Sequence, residues 1–544
     1  MCNKSASQLG MAKIPLWPRG RPRRRNALAG IPLWPERQAR KEEIMSDLFR
    51  ELQPYLERAG ALEAACTLFN WDQNNAPGES IENTSKIIGT LSGEHYAALI
   101  NDEVRGLLIK LSTKDELEKL SFHEKSIVKV LNKQFHKLSL IPPEEYQHFS
   151  MLTAKAYPIW EAAKNNNDYT SYAPVLQEII DYSKKFAAYG QKEGQPLYDV
   201  ALDDYEEGFT MEILDSFFDS LKEALGPLVK KVSEKTDVIP RDFLQKFYPA
   251  DTQKEFCHFL AEYIGFDFNR GLMGESEHPF TTQLHNHDVR ITNHYLENKV
   301  DSAIFSVIHE AGHGLYEQGI DDAITMTIVG SGTSMGMHES QSRFYENNLG
   351  RSLEFWMPVY GKLKDTYPDQ LAGVSLEDFY KGINYSHPSL IRTEADELTY
   401  PFHIMIRYEI EKAIFSENVT ANELPVLWNE KYKEYLGIVP GNDTEGILQD
   451  MHWSGGSFGY FPSYAIGSAI AAQIYHHLES IMPIKDYLLQ GQLTPIRNYL
   501  KEHIHCFGQC KNTQELLMDM TGEGFNPNYY IQYLTEKFTK LYGL

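Results

Sequence analysis

The chain has 544 residues, with 52 lysines and arginines against 75 aspartates and glutamates, a formal net charge of −23. Residues 1–44 hold ten basic groups and three acidic ones, so the remaining 500 residues sit at −30. A body that acidic repels phosphate backbones and argues against nucleic acid as its partner, while 42% hydrophobic and 12% aromatic residues supply a large core and exclude a disordered chain.

In residues 1–44, Ile-Pro-Leu-Trp-Pro occurs at Ile14–Pro18 and again at Ile31–Pro35, around an Arg/Pro cluster. No apolar run follows the arginines, and prolines beside tryptophans spoil an amphipathic helix. The segment reads as a basic, disordered extension or an over-called start. Met45 then opens the body, with Ser46 as N-cap for the periodic Leu48, Leu52, Tyr55 and Leu56. Five cysteines are too few and too scattered for a disulfide framework, which favours a reducing cytosol. No stretch approaches eighteen consecutive apolar residues, so no membrane span is expected.

From residue 45 the helical period dominates. Segments 46–70, 84–111, 115–138, 143–164, 171–191, 210–233 and 251–264 each place apolar residues three and four apart. Turn signals at Asn74–Gly78 and at Ile141-Pro142-Pro143 separate some of them. Only His278 to Leu296 reads as strand, being β-branched and partly alternating. Helical patterns resume to the C-terminus, and no repeat is visible in the body. The expectation is one large, mostly α body over 45–544, with a small β-sheet next to its most informative helix.

That helix, roughly Ser302 to Gln318, contains His309-Glu310-Ala311-Gly312-His313. Residues i and i+4 share a helix face, so both imidazoles can reach one zinc ion, and Glu310 is placed to take a proton from a water that the metal activates. A chance match to this pattern is expected about 0.1 times in a chain of this composition. A catalytic zinc wants three protein ligands and an open position. Tyr316 and Gly319 stand where a metzincin would have glycine and histidine, which leaves a carboxylate from a following helix. Glu339, in Met337-His338-Glu339-Ser340 after the Gly/Ser/Thr-rich turn Gly330–Ser334, is the candidate; the alternative for it is an ordinary solvated helix charge.

These residues resemble the carboxypeptidase Taq family of zinc metallocarboxypeptidases. The family's motifs stand in order: D-x-R-x-T as Asp288–Thr292, H-E-x-x-H as His309–His313, H-E-S as His338–Ser340, I-R-T-x-A-D as Ile391–Asp396, and G-x-x-Q-D-x-H-W as Gly446–Trp453. His278-Pro279-Phe280 matches a further short element, and Ala76 departs from a methionine expected in an early stretch. The resemblance covers 45–544. It implies a helical clam-shell with a deep central groove, commonly a homodimer, that removes single residues from peptides with a free C-terminus, broadly but poorly at proline. It also implies His309, His313 and Glu339 as metal ligands, with zinc (cobalt substituting), and Glu310 as general base and acid.

Further roles remain as alternatives. Tyr460 or His452 could donate to the oxyanion, the competing role of Tyr460 being core packing. Arg290 and Arg392 suit a substrate carboxylate, being always charged and bidentate; the competing reading is buried ion pairs with Asp288 or Asp396. Asp288, Asp396 and His338 are also candidates for orienting the ligand imidazoles. The strand of Arg290 could add a substrate strand at its edge. His503, His505, Cys506 and Cys510 match no zinc spacing and read as helix packing. A related oligopeptidase or endopeptidase is the alternative enzyme, and a non-catalytic peptide-binding scaffold the alternative from another class.

Overall fold

The Ser46 hydroxyl accepts the Phe49 amide at 3.1 Å. It starts a helix over Asp47–Asp72, which buries Phe49, Leu52, Leu56 and Ala59 along one stripe. The computed structural model describes residues 46–72, 80–235, 239–417 and 419–544. The readings of residues 1–44, of Met45 as a start, and of Asn74–Gly78 with Ala76 lie outside the described residues.

Four periodic segments become helices close to their expected bounds: Pro143–Asn166, Tyr169–Gly190, Met211–Ser233 and Ala250–Ile264. Two expected helices are broken by capping residues. The 84–111 run splits into Ile81–Leu99 and Asp102–Leu111. Asn101 donates to the carbonyls of Ala97 and Ala98 and accepts the Val104 amide at 2.9 Å, closing one helix and opening the next. The 115–138 run splits into Lys114–Leu117 and Phe122–Ser139 at Ser121, which forms a capping box with Glu124. The helix Leu197–Asp203 is unexpected, since seven residues are too few to show a period.

The strand region resolves into three strands, β1 (Gly271–Glu275), β2 (Thr281–His285) and β3 (Asp288–Asn293). β1 escapes a propensity reading because two of its five residues are glycine. The order is β1-β3-β2, with β1 parallel and β2 antiparallel to β3. The strand of Arg290 is therefore central, and neighbours fill both its edges. Edge addition of a substrate to that strand is corrected: the outer strands are β1 and β2.

Buried side chains from Leu152 to Tyr542 form one continuous core. The N-terminal helices make a smaller core of their own with Ile320, Ile324 and Val329. The helix Val300–Gly319 is buried on nearly every face, and Ile320 directly after it belongs to the smaller core. Polar side chains on a helix so enclosed need partners, and those partners build the site. No described helix is long and apolar enough to cross a membrane.

Candidate functional site

Gly312, inside His309–His313, lets two helices meet backbone to backbone. A Cβ there would lie 2.8 Å from Cα of Ser342, on the helix Met335–Arg343. That contact sets Glu339 opposite the two histidines. Glu339 Oε2 lies 3.5 Å from His309 Nε2 and 3.4 Å from His313 Nε2, and the three donor atoms all fall within 4.8 Å of one another. Among the described residues this is the one such group of three histidine, cysteine or carboxylate side chains.

The far side of each imidazole is already engaged. His309 Nδ1 is 2.9 Å from Glu346 Oε2. His313 Nδ1 is 2.5 Å from His338 Nδ1, and His338 Nε2 is 2.7 Å from Glu317 Oε1. A consistent proton assignment has His309 donating to Glu346, and His313 donating to His338, which donates to Glu317. Once the His309 ring gives up its second proton, both Nε2 lone pairs face Glu339, so two neutral nitrogens and a carboxylate oxygen converge as a divalent cation requires. His338 thus sits where an orienting residue is expected. Glu317 follows His313 by four residues on the same helix face, a signal present in the sequence and missed.

Glu346 and Arg343 were also missed. After Arg343 the helix widens into a π-helix over Phe344–Gly350, and the wider turn brings Glu346 to His309. Arg343 Nε donates to Glu339 Oε1 at 2.7 Å and its Nη1 to Glu346 Oε2 at 3.2 Å; Arg351 reaches Glu346 Oε1 at 3.2 Å. Burial opposes charge on Glu346, but Arg343 and His309 hold it down at about 2. Burial likewise opposes charge on the imidazoles. Glu339 and Glu346 still raise His309 to about 10, whereas burial, helped by His338 and His309, pushes His313 down to about 3. The carboxylates that raise His309 favour any cation among these atoms, and metal binding would release that proton.

Glu310, which is not one of the three converging residues, is tied to the sheet. Its Oε2 accepts the Thr281 hydroxyl at 2.6 Å, and that hydroxyl also lies 3.0 Å from the Glu310 carbonyl. Burial raises its pKa above the usual carboxyl range, moderated by His309 and Thr281. A buried carboxylate with one oxygen tied and a raised proton affinity suits general base work. Thr281, on β2, is the residue through which the sheet serves the site.

Arg392 is buried and pairs with Asp450, at 3.0 Å from Nε and 2.9 Å from Nη2. This corrects the expected partner Asp396. Asp396 instead accepts the amides of Leu398, Thr399 and His387 and the Thr399 hydroxyl, fixing the entry to the helix Tyr400–Glu417. Asp288 binds Arg290 through two 2.8 Å contacts. Neither aspartate touches a ligand imidazole, so their orienting role is corrected too; Glu346 and His338 occupy those positions. Arg407 shares Asp450 with Arg392, at 2.7 Å from Nε. Tyr400 joins the two regions: its hydroxyl lies 3.3 Å from Arg392 Nη1, and the Arg343 guanidinium sits 4.5 Å above its ring.

His452 Nε2 lies 3.1 Å from the Tyr464 hydroxyl, and burial together with Arg392 pushes His452 down to about 3, so its ring is neutral. Tyr460 packs edge-on against Tyr205 and Tyr464, each at 5.2 Å, and burial raises its hydroxyl above the ordinary value, with Glu339 adding to that rise and Arg392 opposing it. The structure thus brings His309, Glu310, His313, Glu339, His338, Tyr460 and Arg392 to one region. His505, in the C-terminal cluster, is buried 2.9 Å from Gln341 Oε1 and packs on Tyr316.

A family model for carboxypeptidase Taq (M32) metallopeptidases matches residues 51–538. Carboxypeptidase 1 of Bacillus subtilis (strain 168) is 43% identical over 497 residues, 91% of this chain and 99% of that protein. Thermostable carboxypeptidase 1 of Pyrococcus furiosus is 36% identical over 92% of this chain and 100% of its own length. The crystal structure of an M32 carboxypeptidase from Deinococcus radiodurans R1 superposes with a TM-score of 0.88 at 33% identity, covering 92% of this chain and 100% of that one. With this chain of motifs folded around one His/His/Glu cluster, the protein belongs to the carboxypeptidase Taq (M32) family and is a metallocarboxypeptidase, a metal-dependent peptide hydrolase.

Proposed function

We propose that the metal is zinc, with cobalt able to substitute, held by His309, His313 and Glu339, and that the enzyme releases single residues from free peptide C-termini. The observation that carries this is the convergence of two imidazole nitrogens and one carboxylate oxygen within 4.8 Å. When bound there, the ion supplies Lewis acidity toward a carbonyl and acidifies water. Glu310 takes a proton from the attacking water on Oε1, Oε2 being occupied by Thr281, and returns it to the nitrogen of the leaving amine. Neutral His452 or the Tyr460 hydroxyl donates to the oxygen that gains charge.

The substrate carboxylate is assigned to Arg392 ahead of Arg290. Two guanidiniums share Asp450, which leaves one positive charge in excess around Arg392, whereas Asp288 balances Arg290 one to one. An anchor that grips the terminal carboxylate ignores side chains, which gives broad specificity. C-terminal proline is poor because its scissile nitrogen carries no hydrogen and its ring fixes φ. Among the described residues all four cysteines, Cys66, Cys257, Cys506 and Cys510, are free thiols, which suits a reducing cytosol, and the family resemblance supports a homodimer. The test is removal of metal with a chelator and restoration with zinc or cobalt, assayed on peptides ending in alanine or proline. Recovery with about one zinc per chain, and faster release of alanine, is expected; recovery with magnesium alone would contradict the assignment.

A further inference from the structure

The helix Met335–Arg343, which carries Glu339, begins against a turn more than a hundred residues earlier in the chain. An α-helix leaves its first N–H groups without helical partners, and a buried start must find them elsewhere. Here each can be traced. The Met335 amide donates to the Tyr205 carbonyl at 3.4 Å, and the Gly336 amide donates to Glu206 Oε1. The Met337 amide donates to the Ser334 hydroxyl at 3.0 Å, and the His338 amide to the Ser334 carbonyl at 2.9 Å. Two of the four are therefore met by the turn at Tyr205-Glu206.

Glu206 is 1% exposed, and a Cβ on Gly336 would lie 2.7 Å from its Oε1, so only glycine lets the carboxylate reach that amide. The neighbours of Glu206 fix the turn on its other sides. Tyr205 packs edge-on against Tyr460. Lys133 lies 2.9 Å from both Asp203 and Glu207, and Lys137 lies 2.5 Å from Asp204, all across to the helix Phe122–Ser139. Glu206 lies outside every motif that carries the family resemblance.

We propose that Glu206 is a positioning residue for the metal site: by holding the Gly336 amide it sets the start, and hence the axial position, of the helix that presents Glu339. The proposal rests on Glu339 being a metal ligand. Its effect should be read in metal affinity as well as in rate, because a ligand displaced by a fraction of an ångström weakens binding without unfolding the chain.

The experiment measures zinc dissociation by chelator competition, with kcat and KM, on the full chain and on Glu206→Ala, Glu206→Gln and Gly336→Ala. Glutamine keeps an acceptor oxygen for the Gly336 amide. The expected result is zinc affinity down about 10- to 100-fold in Glu206→Ala, lower kcat at nearly unchanged KM, and recovery to within about 3-fold in Glu206→Gln. If Glu206→Ala does not fold, Gly336→Ala carries the test and should show the same loss. Unchanged zinc affinity in either folded variant overturns the proposal. So does failure of both to fold, which would make Glu206 a core residue only. Zinc binding by Glu339→Gln is measured alongside: if that variant binds zinc as tightly as the unmodified chain, the ligand assignment itself fails, separately from the role of Glu206.

Discussion

At the scale of single residues, the site is held by groups that never need to touch substrate. Glu346 fixes His309 and is itself flanked by Arg343 and Arg351, so Glu346→Ala should weaken zinc binding about 10- to 100-fold, measured by chelator competition. Asp450 lies between two buried guanidiniums, those of Arg392 and Arg407. Burial opposes its charge, but the two arginines hold it well below its ordinary 3.8. A carboxyl depressed in the folded state contributes stability that is full above the unfolded value and is lost as pH falls below it. Asp450→Asn should therefore lower stability by about 3–5 kcal/mol at neutral pH, read by urea unfolding, because it strands two buried charges. Its stability should also fall less steeply than that of the unmodified chain below about pH 4.

At the scale of elements, what could be read from the sequence was local and what could not was long-range. His309 and His313 are one helical turn apart, so their shared face follows from spacing alone, and Glu317 continues that face. Glu339 was legible because a turn rich in small residues announces a new helix, begun by Ser334. Glu346 was not, since it reaches His309 only through a π-helical turn that no residue pattern signals. The Arg392–Asp450 pair spans 58 residues, and a nearer aspartate, Asp396, was the wrong partner because its acceptors are spent on the next helix. Helix ends were misread where one polar residue, Asn101 or Ser121, caps within an otherwise continuous apolar period. The helix contact at Gly312 gives a direct check. Gly312→Ala places a methyl 2.8 Å from Cα of Ser342 and should cost about 1–3 kcal/mol of stability in thermal melts while also weakening zinc binding.

At the scale of the whole molecule, the acidic 500 residues carry every group assigned to the chemistry, and residues 1–44 carry none. A chain starting at Met45 should keep its specific activity; collapse of that activity would move the boundary. The most direct test of the central assignment, a metal-dependent enzyme working from the C-terminus with Glu310 as its base, is mass spectrometry of timed digests of one defined peptide. Three forms are compared in the presence of zinc: free at both ends, blocked at the N-terminus, and amidated at the C-terminus. The first two should yield a ladder losing one C-terminal residue at a time, while the amidated peptide and the Glu310→Gln variant should yield none. Internal fragments, a ladder from the N-terminus, or an undiminished ladder in Glu310→Gln would contradict the account.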